Sequence, residues 1–378
     1  MPLRVLIAPD KFKGTLTAGE AARAIARGWR RIRPRDAVRL LPITDGGDGF
    51  GEVASALLGA REQTVGTLDA AHRPITARWW YEAETRTAVI ESAAAIGLAL
   101  LPPRQFHPFA LDTAGLAALV EAAARKGATR CWIGIGGSAT NDGGFGLARA
   151  LGWEFLNRAG ESIGQWTGLA ALSAQRAPRR RRWFKELYVA VDVQNRLLGP
   201  RGATRVYGPQ KGLRPGDFKP SEACLRRLAH VAESSLGRDF AAEPGSGAAG
   251  GLGFGLQAFL GARLVPGFEW FARQAMLERE LQAADLVITG EGAIDESTFM
   301  GKGTGRIAER CRRLKIPCIG LAGRAGAKVR RMPFFSRISA LTDLTTSEQA
   351  TTRPAYWLTR LAAEAAAVQN RRLQTGRR

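Results

Sequence analysis

The hydrophobic positions of this chain follow two rhythms. Short apolar runs stop abruptly at glycine and small polar residues. Between them lie stretches with an apolar residue every three or four positions. The first rhythm marks buried strands and the second marks helices packed on one face. Leu3–Ala8 predicts a buried strand that stops at Pro9-Asp10-Lys11. Thr17, with Glu20 three residues on, has the form of a capping box and predicts a helix to about Arg31. Val38–Ile43 predicts a second strand, which ends in Thr44-Asp45-Gly46-Gly47-Asp48-Gly49 and leads into a short helix to Leu58. A β-α-β-α opening of this kind is typical of an open α/β sheet.

The rhythm changes in the middle. Residues 62–68, 74–82 and 86–92 alternate with period two and predict β structure. Thr113–Lys126 predicts a helix and Arg130–Ile135 another buried strand. After a glycine-rich turn, a helix is predicted to about Leu151. Residues 157–183 and 199–220 read as loop or irregular chain, with a strand at Leu187–Val191 between them. Helices are predicted at 221–236, 250–261 and 268–282. Regular texture then returns: strand Leu286–Thr289, helix Gly303–Arg313, strands Pro317–Leu321 and Arg337–Leu341, and a helix at 353–369. The two ends of the chain resemble each other more than the middle. The expected fold class is therefore α/β in two domains. A Rossmann-like domain is built from residues 1–61 and 269–378, and a second α/β domain is inserted over residues 62–268.

Composition changes this picture little. A chain of 378 residues, 45% hydrophobic and 24% charged, can bury a large core, which excludes wholesale disorder. No run of about 18 apolar residues predicts a membrane span, and the first apolar run is too short for a signal-peptide core. A cytoplasmic protein with no membrane contact is expected. Cys131, Cys224, Cys311 and Cys318 show no C-x-x-C spacing and no histidine partners, so neither a disulfide framework nor a zinc site is expected. His72, His107 and His230 are scattered, which argues against histidine-based chemistry.

Charge adds more. The formal net charge is +21, a balance that can signal nucleic-acid binding. Yet 46 of the 55 basic residues are arginine, a compositional bias. The densest runs, Arg179–Arg182 and Arg371, Arg372, Arg377 and Arg378, fall in a predicted loop and at the chain end. No specific nucleic-acid partner is expected, although a positive field would gather an anionic substrate. Lysine is scarce by contrast, with nine residues. Four of them, Lys11, Lys13, Lys211 and Lys302, sit in loops rich in glycine and aspartate. A lysine there is a compact point charge suited to phosphate.

Ligands of open α/β sheets bind beyond the carboxyl ends of the strands. The residues just past each predicted strand are Asp10, Lys11 and Lys13; Asp45 and Asp48; Ser138, Thr140, Asn141 and Asp142; Asp192; and Glu291, Asp295 and Lys302. Glycines, among them Gly136 and Gly137, clear space beside them. Glycine-rich turns bind phosphate oxygens, lysines neutralise a migrating phosphoryl group, and carboxylates hold Mg²⁺ or take the proton of an attacking hydroxyl. Phosphoryl transfer is the chemistry these types share. The phosphate loop G-x-x-x-x-G-K-[ST] is absent, because Gly301-Lys302 is followed by Gly303. Gly134-Ile135-Gly136-Gly137-Ser138-Ala139 fits the dinucleotide pattern G-x-G-x-x-G/A, with Glu154 near the expected acid. An NAD(P)-dependent oxidoreductase therefore stands as an alternative.

APDKFKGTLTA (8–18), ITDGGDGF (43–50), GIGGSATNDGG (134–144), YGPQKG (207–212), GSGAAGGLG (245–253) and ITGEGAIDESTFMGKG (288–303) together resemble the class I glycerate kinase family, in order and from about residue 3 to 345. The resemblance implies ATP- and Mg²⁺-dependent phosphorylation of D-glycerate, most often to 2-phosphoglycerate, in a cleft between two α/β domains. Kinases of related small hydroxy-acids are a second reading. Several positions depart from the family pattern. Lys11 replaces a usual serine, Asp48 a glutamate, Ala293 a common arginine, Met300 a frequent histidine and Ala117 a glycine, and Gln194-Asn195-Arg196 replaces T-N-P.

On this resemblance, Asp192, Lys13 and Asp10 are the expected catalytic residues. Gly136, Gly137, Ser138, Thr140, Asn141, Lys211, Glu291 and Lys302 are expected at the nucleotide, and Asp45, Asp142 and Asp295 at the metal. A homo-oligomer is compatible with this reading.

Overall fold

The computed structural model describes residues 1–299 and 301–375, with side chains to residue 371. Met300, Arg377, Arg378 and the side chain of Arg372 lie outside the described residues. In chain order the strands are β1 (Arg4–Ile7), β2 (Ala37–Leu40), β3 (Arg61–Leu68), β4 (Pro74–Glu82), β5 (Thr87–Glu91), β6 (Arg130–Gly134), β7 (Glu154–Leu156), β8 (Ala174–Arg176), β9 (Glu186–Ala190), β10 (Arg263–Val265), β11 (Leu286–Ile294), β12 (Cys318–Ala325) and β13 (Arg337–Ala340).

The chain divides into two units, Met1–Asp45 with Phe268–Arg378, and Gly46–Gly267. The unit built from the chain ends holds a five-stranded sheet, β13-β12-β11-β1-β2, in which every pairing is parallel. Parallel strands need crossover helices that cover both faces. One of these, Ala18–Ile32, opens at Thr17 with the predicted capping box to Glu20. It packs so tightly on the helix Pro354–Thr375 that a Cβ on Gly28 would lie 2.0 Å from the Thr359 carbonyl oxygen. Trp29, Ile25, Leu358 and Leu361 form the core of that face.

The middle unit holds a mixed sheet, β10-β9-β6-β5-β4-β3. Its β10-β9-β6-β5 part is parallel, and β4 and β3 continue it as antiparallel strands. β7 and β8 form a separate antiparallel pair. The parallel strands bury Ile90, Ile133 and Val189, while β3 shows the half-exposed alternation read from the sequence.

Several elements differ from expectation. The helix Phe50–Leu58, expected with the chain ends, groups with the middle unit. Its Phe50 ring fills the space beside Gly134, and Gly51 faces the Trp80 ring. The stretch 199–220, read as irregular, contains the helix Ala203–Lys211 and the start of Pro215–Leu236. Its prolines look like breakers in sequence, but Pro215 occupies the first helical turn, where no N–H partner is needed. The 157–183 loop carries β8 and a 3₁₀ turn at Trp166–Ala171. The segment 268–282 is two helices, broken at Met276, whose φ is 48°. β10 is a three-residue strand with no sequence signal of its own.

Candidate active site

The middle unit gathers one group of expected residues at the carboxyl ends of β6 and β9. The chain from Gly136 to Gly144 leaves β6 as a loop and enters the helix Phe145–Ala150 only after Gly144. Gly137, Gly143 and Gly144 have φ of 75°, 65° and 78°, a left-handed backbone that suits glycine. A Cβ on Gly136 would sit 2.4 Å from Gly47 Cα. These glycines therefore serve the packing of the 46–49 turn onto the loop. The helix begins too late for its N-terminus to meet a pyrophosphate at Gly134–Gly137, so the dinucleotide reading loses its geometry.

The loop spends much of its backbone on the protein. The N–H groups of Gly136, Ala139 and Gly143 donate to the carbonyls of Gly46, Ile96 and Gly250. That of Gly144 donates to Asp142. A phosphate placed here would consequently meet side chains more than backbone N–H groups. Lys211, at the end of the helix Ala203–Lys211, reaches the loop and donates through Nζ to Ser138 Oγ at 2.9 Å and to the Thr140 carbonyl at 2.5 Å. It is buried, and burial pushes its pKa down to about 7 while the charge of Asp142 pulls it back up. Thr140 Oγ1 and Asn141 Oδ1 are buried, with no hydrogen-bond partner among the described residues. Asn141 Nδ2 donates to Thr204 Oγ1. Buried polar atoms left in this state call for a ligand or water. The cluster of Lys211, Ser138 and Thr140 fits an anionic phosphate chain.

Asp142 has a different character. Its Oδ2 accepts from Thr113 N (3.0 Å), Thr113 Oγ1 (2.7 Å) and Gly146 N (2.9 Å), and its Oδ1 accepts from Gly144 N (3.2 Å). Burial and the nearby Asp112 push its pKa up, and the Thr113 and Gly146 donors oppose them. With its oxygens committed to four donors, Asp142 holds the loop and the following helix together. That geometry argues against the metal role expected for it. Thr113 completes the joint by accepting from Leu147 N. Glu91, at the end of β5, plays the same part for the other turn. Its two oxygens take the N–H groups of Gly49 (2.8 Å) and Gly51 (3.0 Å). Asp48 lies over Gly137, where a Cβ would overlap its Oδ1 at 1.7 Å. Asp192 lies two residues past the end of β9 and is partly buried.

The unit built from the chain ends carries a second group. Asp10, just past β1, is buried, and its Oδ1 accepts from Lys11 N. Burial, then the charge of Asp45, push its pKa up to about 7, and Glu291 adds to the effect. Asp10, Asp45 and Glu291 thus concentrate negative charge in one place. Glu291 accepts from Thr298 Oγ1 at 3.0 Å and pairs with Lys302 Nζ at 3.5 Å. Burial raises its pKa, against the pull of Lys302 and Thr298. Lys13 is exposed on the tight loop Phe12–Leu16, where Gly292 leaves room for its backbone. Asp295 turns back on Ser297, which holds its carboxyl below the usual range.

Sequence reasoning placed Glu291 in a turn, but β11 runs through it to Ile294, with Glu291 opposite Ala322 of β12. Gly290 makes this continuation possible, since a Cβ there would lie 1.9 Å from the Leu321 carbonyl oxygen. Sequence reasoning did not foresee the parts played by Glu91, Thr113, Thr204 and Thr298. Of these, Glu91 carried a readable signal, as an acid closing a β-rich run.

No group of three or more His, Cys, Asp or Glu among the described residues is arranged to cage a metal ion. Mg²⁺ ordinarily takes one or two protein carboxylates and completes its shell with water and phosphate. The Asp10, Asp45 and Glu291 charges fit that mode.

Comparison with known proteins points to one family. The model of the glycerate kinase family matches residues 5–370. A glycerate kinase of Bacillus subtilis (strain 168) is 42% identical over 328 residues, 85% of each chain. A glycerate 2-kinase of Escherichia coli (strain K12) is 38% identical over 326 residues, again 85% of each. A crystal structure assigned to glycerate kinase 2 of Salmonella typhimurium LT2 superposes with a TM-score of 0.80 at 35% identity. It covers 99% of this chain and 100% of that one. The chain belongs to the glycerate kinase family.

Proposed function

We propose that the protein transfers the terminal phosphoryl group of ATP to the C2 hydroxyl of D-glycerate, giving 2-phosphoglycerate and ADP. The observation that carries this reading is the buried Lys211, anchored on Ser138 and Thr140 beside polar atoms that lack protein partners. A buried lysine that reaches the loop beyond a parallel strand suits the phosphates of a nucleotide. Ser138, Thr140, Asn141 and Lys211 hold that phosphate chain in this proposal, on a loop that Gly136 and Gly137 let pack against the 46–49 turn. Asp45, with Asp10 or Glu291, holds Mg²⁺, which when bound supplies positive charge to the phosphates. Lys302 keeps Glu291 ionised, and Lys13 attracts the anionic substrate. Asp192 orients the C2 hydroxyl and accepts its proton as the oxygen attacks phosphorus, and the departing oxygen leaves with ADP.

The test is ADP release from MgATP and D-glycerate, with the product offered directly to enolase. Turnover by enolase supports phosphorylation at C2. ADP release without it shifts the assignment to C3. Absence of glycerate-dependent ADP overturns the substrate and sends the search to other small hydroxy-acids. Asp192→Asn should lower kcat roughly 10²–10⁴-fold with the fold intact. A near-normal kcat removes Asp192 from the role of base.

A further inference from the structure

We propose that Arg324 binds the carboxylate of the hydroxy-acid substrate and sets the preference for an acid over a neutral polyol. This deepens the reading above and rests on it.

The sheet register points to this residue. β11 and β12 run parallel, with Glu291 opposite Ala322 and Ala293 opposite Arg324. Paired residues of neighbouring strands share a face, and so do residues two apart on one strand. Glu291, Ala293 and Arg324 therefore lie close together at the carboxyl end of the sheet. Glu291 is already engaged there with Lys302 and Thr298. Ala293 fills almost none of the space beside Arg324. Most charged residues in this part of the fold are paired: Arg306 and Arg310 with Glu269, Arg330 with Asp343, Lys328 with Glu296 and Lys302 with Glu291. Arg324 makes no hydrogen bond, ion pair or ring contact among the described residues, and its side chain is exposed. Its charge is felt at Asp295, the residue just after the end of β11, without a direct bond. A guanidinium placed at Ala293 would start one strand over from Arg324 and in register with it.

A guanidinium suits this task because its planar fork matches both oxygens of a carboxylate, which an ammonium cannot do. A small hydroxy-acid offers only its carboxylate as a fixed charge. A site that pairs that charge therefore discriminates against an uncharged polyol of the same size.

The experiment is steady-state kinetics and thermal-shift titration of full-length Arg324→Ala, Arg324→Lys and the swap Ala293→Arg/Arg324→Ala. In Arg324→Ala, the KM for D-glycerate should rise roughly 10- to 100-fold, the range of one charge-assisted bidentate contact. The kcat and the KM for ATP should stay within about threefold, as for loss of uniform binding. Arg324→Lys should recover only part of the affinity, and the swap should recover most of it. The stabilisation of the wild-type protein by D-glycerate in a thermal melt should shrink in parallel. An unchanged glycerate KM in Arg324→Ala overturns the proposal. Equal losses for glycerate and ATP also overturn it, because they indicate a general disturbance. Wild-type protein that turns over no glycerate brings down the function itself. Normal turnover with an indifferent Arg324→Ala brings down this inference alone.

Discussion

Asp142 and Lys211 are both buried ionisable residues next to the same glycine loop, and they make opposite demands. Asp142 is satisfied by four donors and acts as a bracket. An amide at this position turns an N–H toward Thr113 N or Gly146 N and leaves a buried donor unpaired, at a cost of about 2–3 kcal/mol. Asp142→Asn should therefore lower Tm by roughly 5–10 °C in a thermal melt, nearly as much as Asp142→Ala. A catalytic carboxylate with no bracing role would lose activity at unchanged Tm. Lys211 is held at a pKa of about 7 in the folded protein, chiefly by burial, against an ordinary value of 10.5. Between those values the unfolded chain binds more protons than the folded one, so this residue makes stability rise with pH across the window. The slope is at most roughly 1.4 kcal/mol per pH unit for a single group. In Lys211→Met the slope of stability against pH should be flatter than in wild type between pH 7 and 10, as read by denaturant melts at several pH values. An unchanged slope would mean that the lysine is already neutralised by a partner.

At the scale of elements, glycines set how closely the helices and strands approach the site. Gly250 has a φ of 71°, and a Cβ there would lie 2.0 Å from the Thr140 carbonyl oxygen. That carbonyl is the one Lys211 grips. Gly250→Ala should displace the loop and cost more than tenfold in kcat/KM for ATP, even where circular dichroism shows the helices retained. Much of this level was legible in the sequence. The capped helix after β1, the buried strands β6 and β9 and the alternating β3 all carried their periodicity openly. The helix Ala203–Lys211 did not, because its buried face is made of alanine, threonine, glycine and lysine, which leave no apolar stripe. The same reason hid the bracket at Asp142. Turn-forming Asp-Gly-Gly reads alike whether its carboxylate meets a metal or the N–H groups of Thr113 and Gly146. The motif GSGAAGGLG was legible as special, but its purpose was not. In the structure, Gly247, Gly250, Gly251, Gly253 and Gly255 each face backbone at a distance too short for a Cβ. Except at Gly253, which faces Gly245, the partners lie more than 50 residues away, which no local pattern records.

At the scale of the whole molecule, the strand order of the end-built sheet has a consequence for synthesis. β1 sits between β2, which is local, and β11, whose first residue, Leu286, pairs with Val5. A ribosome adding about 5–20 residues per second reaches β11 roughly a quarter of a minute to a minute after β1 has emerged. During that interval the middle unit, contiguous from Gly46 to Gly267, has its whole sequence available and can fold first. The earliest apolar strand meanwhile waits with one edge open, a template for unwanted pairing. Nascent chains stalled near residue 267 plus the tunnel length should accordingly resist protease across the middle unit while residues 1–45 are cut. Protection of those first residues should appear only after β11 is released. The strand made first is thus among the last to be secured, and the yield of this protein in a cell depends on what guards it while translation continues.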